Sequence, residues 1–98
     1  GLPALEGSDK QVTWAEYIRA ELLESAEEYL KDNWNMTSML EDAAVKVHNE
    51  KVLHVLGQIL VQIRQEPRAA WWISHRRSDG AQMLRSVYQE QHPEEMQL

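Results

Sequence analysis

The sequence predicts an all-α fold, a small antiparallel helical bundle of three to four helices around one long central helix at about residues 38–66. Three observations support this prediction. Apolar residues recur at three- and four-residue steps, no segment shows the strict alternation of a half-buried strand, and capping and breaking residues divide the pattern into pieces of helical length. With 98 residues the chain has room for one domain.

The predicted central helix carries the longest apolar stripe. Ser38 and Glu41 match a capping box at its start, and Pro67 ends it, because a proline ring disfavours helical conformation at the residue before it. The stripe consists of Val45, Val52, Val55, Leu56, Ile59, Leu60 and Ile63, and further apolar residues lie off it at Val47, Leu53 and Val61. The helix therefore needs cover on more than one side.

A first helix is predicted from about Trp14 to Asp32, where a capping box of Thr13 and Glu16 can satisfy free N–H groups at its start. Two asparagines in the segment 33–37 predict a turn after it, because asparagine side chains compete for backbone hydrogen bonds.

The C-terminal half contains a predicted third helix from Pro67 to about Arg77. Next, Gly80 either bends one continuous helix that runs to Gln91 or breaks it into two; we favour the bend. His92 and Pro93 stop the last helix. We therefore expect a flexible N-terminal tail at 1–12, a single helical domain at 13–92 and a polar C-terminal tail at 93–98.

Composition limits the classes of function. The chain lacks cysteine, which excludes a disulfide framework and thiolate metal sites. No apolar run approaches the roughly 20 residues that span a membrane, and the N-terminus lacks the layout of a signal peptide. We therefore predict a cytoplasmic protein without a membrane partner, and the sequence offers no motif for a cofactor or a closed metal site.

Charge is unevenly distributed along the chain. Residues 1–50 contain eleven Asp/Glu and four Lys/Arg, whereas residues 51–98 contain five Asp/Glu and six Lys/Arg. The predicted first helix has an acidic face formed by Glu21, Glu24, Glu27 and Glu28, and the second half has a basic stretch formed by Arg64, Arg68, Arg76, Arg77 and Arg85. Such asymmetry can steer a charged partner or pair one copy with another.

Trp71 and Trp72 are the main candidates for contact with a partner. Adjacent residues on a helix point about 100° apart, so one ring can pack against the bundle while the other lies at a groove or subunit interface. Together with Arg68, Arg76 and Arg77 they form a predicted partner-binding region. Aromatic rings among arginines also suit single-stranded nucleic acid, which is the alternative partner.

Two patterns point to catalysis. Arg68 and His75 form an R-x6-H spacing that resembles the motif of the helical HEPN ribonucleases, which implies a transition-state stabiliser and a proton carrier at a dimer interface. Glu24 and Glu27 form an ExxE motif similar to that of the all-α pyrophosphohydrolases, which implies Mg²⁺-dependent nucleotide hydrolysis, although no ExxD follows Glu41.

The leading interpretation is not enzymatic. We expect an acidic helical protein-interaction module, such as an adaptor, inhibitor or regulatory subunit, that acts as a homodimer, because the apolar surface of the central helix exceeds what so short a chain can cover. The alternatives are a nucleic-acid-binding subunit that uses residues 64–85, and a HEPN-like ribonuclease or Mg²⁺-dependent nucleotide hydrolase.

Overall fold

A computed structural model describes residues 1–93 and confirms the all-α class. Four helices follow one another: α1 (Asp9–Ser38), α2 (Ala43–Arg64), α3 (Ala69–Ser74) and α4 (Gly80–Gln91). α1 packs against each of the other three helices, and α4 also packs against α2. Among the described helices, α1 is therefore the one that contacts all the others. Along the described residues, no helix is both long enough and apolar enough to cross a membrane.

The core lies between the first half of α1, the second half of α2, and α3 and α4. Its centre is Trp72, which has no exposed surface and whose indole N–H donates to the carbonyl oxygen of Glu66 over 3.1 Å. The buried apolar side chains are Ala15, Ile18, Leu22, Leu23, Ala26, Leu53, Leu56, Ile59, Leu60, Ile63, Ala69, Trp72, Met83 and Leu84.

The first helix begins earlier than predicted. Ser8 is its N-cap and forms a capping box with Gln11: the Ser8 hydroxyl accepts from the Gln11 N–H over 3.2 Å, and the Gln11 side chain accepts from the Ser8 N–H over 3.0 Å. The predicted cap, Thr13, lies inside α1, where its hydroxyl donates to the carbonyl oxygen of Asp9. A serine with a glutamine three residues later satisfies the free N–H groups one turn before Thr13 could.

The predicted flexible tail at residues 1–12 is instead anchored to the bundle. The Glu6 N–H donates to Pro67 over 2.7 Å, and the Ala69 N–H donates back to Glu6 over 2.9 Å, so the two segments pair as in a short parallel bridge. The guanidinium of Arg19 donates to the carbonyl oxygen of Pro3 over 2.8 Å. These long-range hydrogen bonds cannot be read from local sequence, which explains the difference.

The turn between the first two helices also lies later than predicted. Asn33 stays inside α1 because its side-chain amide donates to the carbonyl oxygen of Tyr29, one turn back, and so does not compete with the helix. Asp42, not Ser38, caps α2, and its carboxylate accepts from the N–H groups of Ala44 and Val45. The helix predicted at 38–66 is therefore Ala43–Arg64.

The chain breaks between α3 and α4, and the predicted bend at Gly80 is wrong. Residues 75–79 are not helical, and Asp79 forms a capping box with Gln82 that starts α4. Gly80 is required by packing, because a Cβ there would overlap the backbone of Ala26. Residues 94–98 of the predicted polar tail lie outside the described residues.

Candidate interaction surface at the hairpin end

The apolar stripe of α2 continues beyond the part of the bundle that covers it. Ile59 and Leu56 are 1% and 4% exposed, Val52 is half-buried, and Val45 is 45% exposed. These positions are three to seven residues apart and share one side of the helix. The core side chains of α3 and α4 lie against the first half of α1 and the second half of α2. The apolar stripe at the start of α2 is therefore left uncovered.

We call residues 29–55 the hairpin end: the last part of α1, the connection 39–42 and the first part of α2. α4 hydrogen-bonds α1 at Ser25 and, through Arg85, at Tyr29, which is where the hairpin end begins. Beyond Tyr29, six of the exposed side chains are large and apolar. We call this set the apolar tip, and it consists of Trp34, Met36, Met39, Leu40, Val45 and Val47.

The backbone at the apolar tip satisfies its own hydrogen bonds. The N–H of Met39 donates to Met36, and that of Leu40 donates to Thr37, each over 3.1 Å. Asp42 accepts the first free N–H groups of α2. A partner would therefore meet apolar side chains without having to supply hydrogen bonds to this turn. Met39 is the most accessible of these side chains, with 74% of its surface exposed.

A shallow groove lies along α2 within the hairpin end, on the side of that helix that faces away from Val45. Its volume is about 520 Å³, and its lining consists of Val47, Glu50, Lys51, His54 and Val55. The groove is open to solvent, and its valine side chains lie among both signs of charge.

The hairpin end is nearly neutral in an acidic chain. It contains three lysines and four Asp/Glu, a net charge of −1 out of the −6 of the whole chain with histidine neutral. The basic members are Lys31, Lys46 and Lys51, and the acidic members are Asp32, Glu41, Asp42 and Glu50. Long-range repulsion is therefore weaker here than along the acidic face of α1.

The predicted partner-binding tryptophans separate into two environments. Trp72 is buried in the core, so it has no surface for a partner. Trp71 is half-buried, meets Trp72 edge-on with ring centroids 4.9 Å apart, and packs against the ring of His75 at 4.2 Å. The expectation that one ring faces inward agrees with this arrangement, but the outward ring is already in contact with its own chain.

The basic stretch is dispersed by local contacts. Arg77 is exposed, and its four neighbours in the stretch each contact a side chain of their own chain: Arg64 with Glu27, Arg68 with Glu66, Arg76 with the ring of Trp14, and Arg85 with the ring and hydroxyl of Tyr29. A strand of nucleic acid would compete with these contacts. The structure therefore brings together no continuous arginine surface within residues 64–85.

The candidate catalytic pair lies at opposite ends of α3. Arg68 is the N-cap residue, and its guanidinium donates to both carboxylate oxygens of Glu66, over 2.9 and 2.7 Å. His75 is the C-cap residue, about 10 Å further along at 1.5 Å per residue. The two side chains are therefore engaged separately, and the structure does not bring them together within one subunit.

Around this pair, the pKa values of Glu66 and of His75 itself are shifted. The hydrogen bonds from Arg68 lower the pKa of Glu66 below its usual range, because they favour the carboxylate. Burial lowers the pKa of His75, since a charged imidazole would lose solvation, and the negative charge of Glu90 partly opposes this effect. Burial against Trp71 therefore favours the neutral form of His75, as expected for a packed residue.

The acidic face of α1 is exposed as predicted from the helical pattern, with Glu21, Glu24, Glu27 and Glu28 all at the surface. Glu27 pairs with Arg64 across to α2. Within residues 1–93, no three His, Asp or Glu side chains converge in a way that could hold a metal ion. In the described part of the chain, the ExxE pair Glu24 and Glu27 therefore has no third metal-binding side chain close enough to complete a site.

Sequence analysis did not single out the apolar tip as a site. The excess of apolar residues on α2 was the available signal, since Val45 and Val47 were already part of it. Trp34 and Met36 were hidden by the turn predicted at 33–37, and Met39 was placed in the first turn of the predicted central helix. In comparisons with known proteins, no family model, no curated sequence and no solved structure matches this chain.

Proposed function

We propose that the protein is a helical protein-interaction module and that the hairpin end is its docking surface. The observation that supports this function is the apolar tip, where a stripe that is buried at Ile59 and Leu56 continues into solvent at Val45. Six large apolar side chains are exposed there, and they face more than one side of the hairpin, because residues two apart, such as Val45 and Val47, point about 200° apart on a helix. Burial of that surface is the main favourable term in association.

This proposal keeps the predicted class of function and moves the binding site. The partner-binding region is the hairpin end instead of Trp71, Trp72, Arg68, Arg76 and Arg77, because these side chains are buried or engaged locally, except for Arg77. The cytoplasmic location and a role as adaptor, inhibitor or regulatory subunit remain predictions from sequence.

Site-specific photo-cross-linking tests the proposal. A benzophenone amino acid is placed at Met36 in one variant and at Tyr17 in a matched control, since both side chains are well exposed and Tyr17 lies on the first half of α1. We expect a discrete cross-linked product, identified by mass spectrometry, from position 36 and none from position 17. Equal labelling from both positions, or no product from position 36, would contradict the proposal.

A charge at the tip provides a second arm of the test. Met39→Asp places a carboxylate where the side chain is mostly exposed, so the fold is retained, but burying that carboxylate against a partner is costly. We expect the product from position 36 to disappear in this variant. Circular dichroism at 222 nm checks that the helices are intact.

A further inference from the structure

We infer that the N-terminal segment 1–7 is a detachable strap, and that the surface on which it rests is a binding site for an extended peptide of a partner protein. We call this surface the strap site. It lies outside the hairpin end and consists of the guanidinium of Arg19, the carbonyl oxygen of Pro67 and the N–H of Ala69. The strap fills this site in the structure, so its contacts show how a peptide ligand binds there.

The strap is held by its backbone. The N–H of Glu6 donates to the carbonyl oxygen of Pro67 over 2.7 Å, and the carbonyl oxygen of Glu6 accepts from the N–H of Ala69 over 2.9 Å, as in one step of a parallel sheet. The guanidinium of Arg19 donates to the carbonyl oxygen of Pro3 over 2.8 Å. All three contacts use backbone groups of the strap, so another extended peptide can make them. Peptides that add to the edge of a sheet are recognised in this way.

Alternate side chains of the strap are covered by the bundle. Pro3 and Leu5 are half-buried, whereas Leu2 and Ala4 are exposed. Leu5 packs against the hydrophobic core. A period of two residues is the pattern of an extended chain with one covered side. The strap site therefore favours a peptide with apolar side chains at two positions separated by one residue.

The strap can leave without unwinding α1. The helix begins at its own capping box, in which Ser8 and Gln11 satisfy each other's backbone N–H groups. Gly7 joins the strap to this cap with a φ of +155°, a conformation that favours glycine. Each residue of the strap is exposed or half-buried. Segments with few buried contacts and exposed backbone hydrogen bonds open locally while the rest of the protein stays folded.

Tethering decides between a partner protein and a second copy of this chain. A tethered strap acts at an effective concentration on the order of millimolar, and the strap of a second copy offers identical contacts at a much lower concentration. A ligand that displaces the strap must therefore make contacts that the strap lacks. The strap leaves room for this, because 46% of the surface of Leu2 stays exposed. The occupant is therefore a segment of a different protein.

Fluorescence anisotropy with a synthetic peptide of residues 1–7, labelled at its N-terminus, tests the site in the complete chain. In the parent protein the strap competes with this peptide. Leu5→Asp loosens the strap and leaves the strap site unchanged. We expect this variant to bind the peptide about tenfold more tightly than the parent, as for a site that its own segment fills about 90% of the time. A peptide with the same Leu5→Asp substitution is the matched control and should bind neither protein.

Gly7→Ala loosens the strap by a second route, should Leu5→Asp disturb the core. A Cβ at Gly7 would lie 3.0 Å from the side-chain oxygen of Gln11 and 3.1 Å from the Cβ of Ala69, and the φ of +155° strains any residue other than glycine. This variant should also bind the peptide more tightly than the parent.

Hydrogen exchange, measured residue by residue by NMR in the parent, tests detachment independently. The amides of Glu6 and Ala69 take part in the bridge, whereas Ile59 lies inside α2 and is 1% exposed. We expect the first two amides to exchange at least about 100-fold faster than that of Ile59, because they open with the strap alone.

Three results would overturn the inference. Equal exchange at Ala69 and Ile59 would mean that the strap opens only when the whole chain unfolds. Failure of both variants to bind the peptide, or binding to the parent as tight as to both variants, would mean that the strap does not occupy a peptide site. A parent dimer in sedimentation velocity that Leu5→Asp abolishes would identify the strap of a second copy as the occupant.

Discussion

Gly80→Ala tests the close crossing of α1 and α4. The N–H of Gly80 donates to the hydroxyl of Ser25 over 2.9 Å, and a Cβ at this position would overlap backbone atoms of Ser25 and Ala26. Backbone atoms cannot rotate away, so α4 must shift as a whole. Overpacking costs about 1–3 kcal/mol, and the rigid neighbour places this substitution at the upper end. We expect the free energy of unfolding to fall by about 3 kcal/mol.

Gly57→Ala is the matched control, because it makes the same chemical change inside α2. A Cβ at Gly57 meets no atom within 4 Å, so only the helix preference of alanine remains, a gain of about 0.5–1 kcal/mol. At about 4–8 °C per kcal/mol for a chain of this size, Tm should fall by roughly 12–24 °C for Gly80→Ala and rise by roughly 2–8 °C for Gly57→Ala.

Thermal and urea unfolding followed by circular dichroism at 222 nm measure both changes. Ser25→Ala is a third arm, because it removes the acceptor of the Gly80 N–H without adding volume, and it should cost about 1 kcal/mol. If Gly80→Ala were as stable as the parent, or gained stability like Gly57→Ala, α4 would not lie against α1 as described and the reasoning would be refuted.

Three further predictions concern the core, a helix cap and one titrating group. Trp72→Ala should lower the free energy of unfolding by about 3–5 kcal/mol, and the half-buried Trp71→Ala by distinctly less; equal losses in urea titrations would contradict the assignment of Trp72 to the core. Ser8→Ala should cost about 1 kcal/mol in the same assay if α1 begins at the Ser8–Gln11 capping box, and nothing if the helix begins at Thr13. The pKa of His75 is lowered in the folded state, so the unfolded chain binds more protons than the folded one. The free energy of unfolding should therefore fall as the pH drops below the usual His pKa of 6.5. When unfolding is compared at pH 7.5 and 5.5, His75→Gln should remove this part of the pH dependence.

The fold class was predictable because helical periodicity is a local property. Valines and leucines at three- and four-residue steps define α2 whatever packs against it. Helix ends were less predictable because several capping residues compete. Thr13 and Ser8 both match a capping box, and Ser38 matches one as well although Asp42 is the residue that caps α2. The choice depends on which N–H groups the whole bundle leaves free.

Trp71 and Trp72 show how far the orientation of a side chain can be predicted from sequence spacing. Their adjacency predicts that the two rings diverge, but it does not say which ring faces inward. The answer depends on the bridge between Glu6 and Arg68 and on the hydrogen bond from Trp72 to the carbonyl oxygen of Glu66. The first of these joins segments that are far apart in the sequence, so it cannot be predicted from a local pattern.

The position of the candidate site follows from helix lengths. At 1.5 Å per residue, α1 is about 45 Å long, whereas α3 and α4 together would reach about 27 Å even laid end to end. About 18 Å, or roughly twelve residues of α1, must therefore lie beyond their cover, which corresponds to the part after Ala26. The break at residues 75–79 is what makes the covering helices short. One continuous helix from Pro67 to Gln91 would reach about 38 Å and cover more of the hairpin, so the same break that lets Gly80 dock on Ala26 leaves the apolar tip exposed.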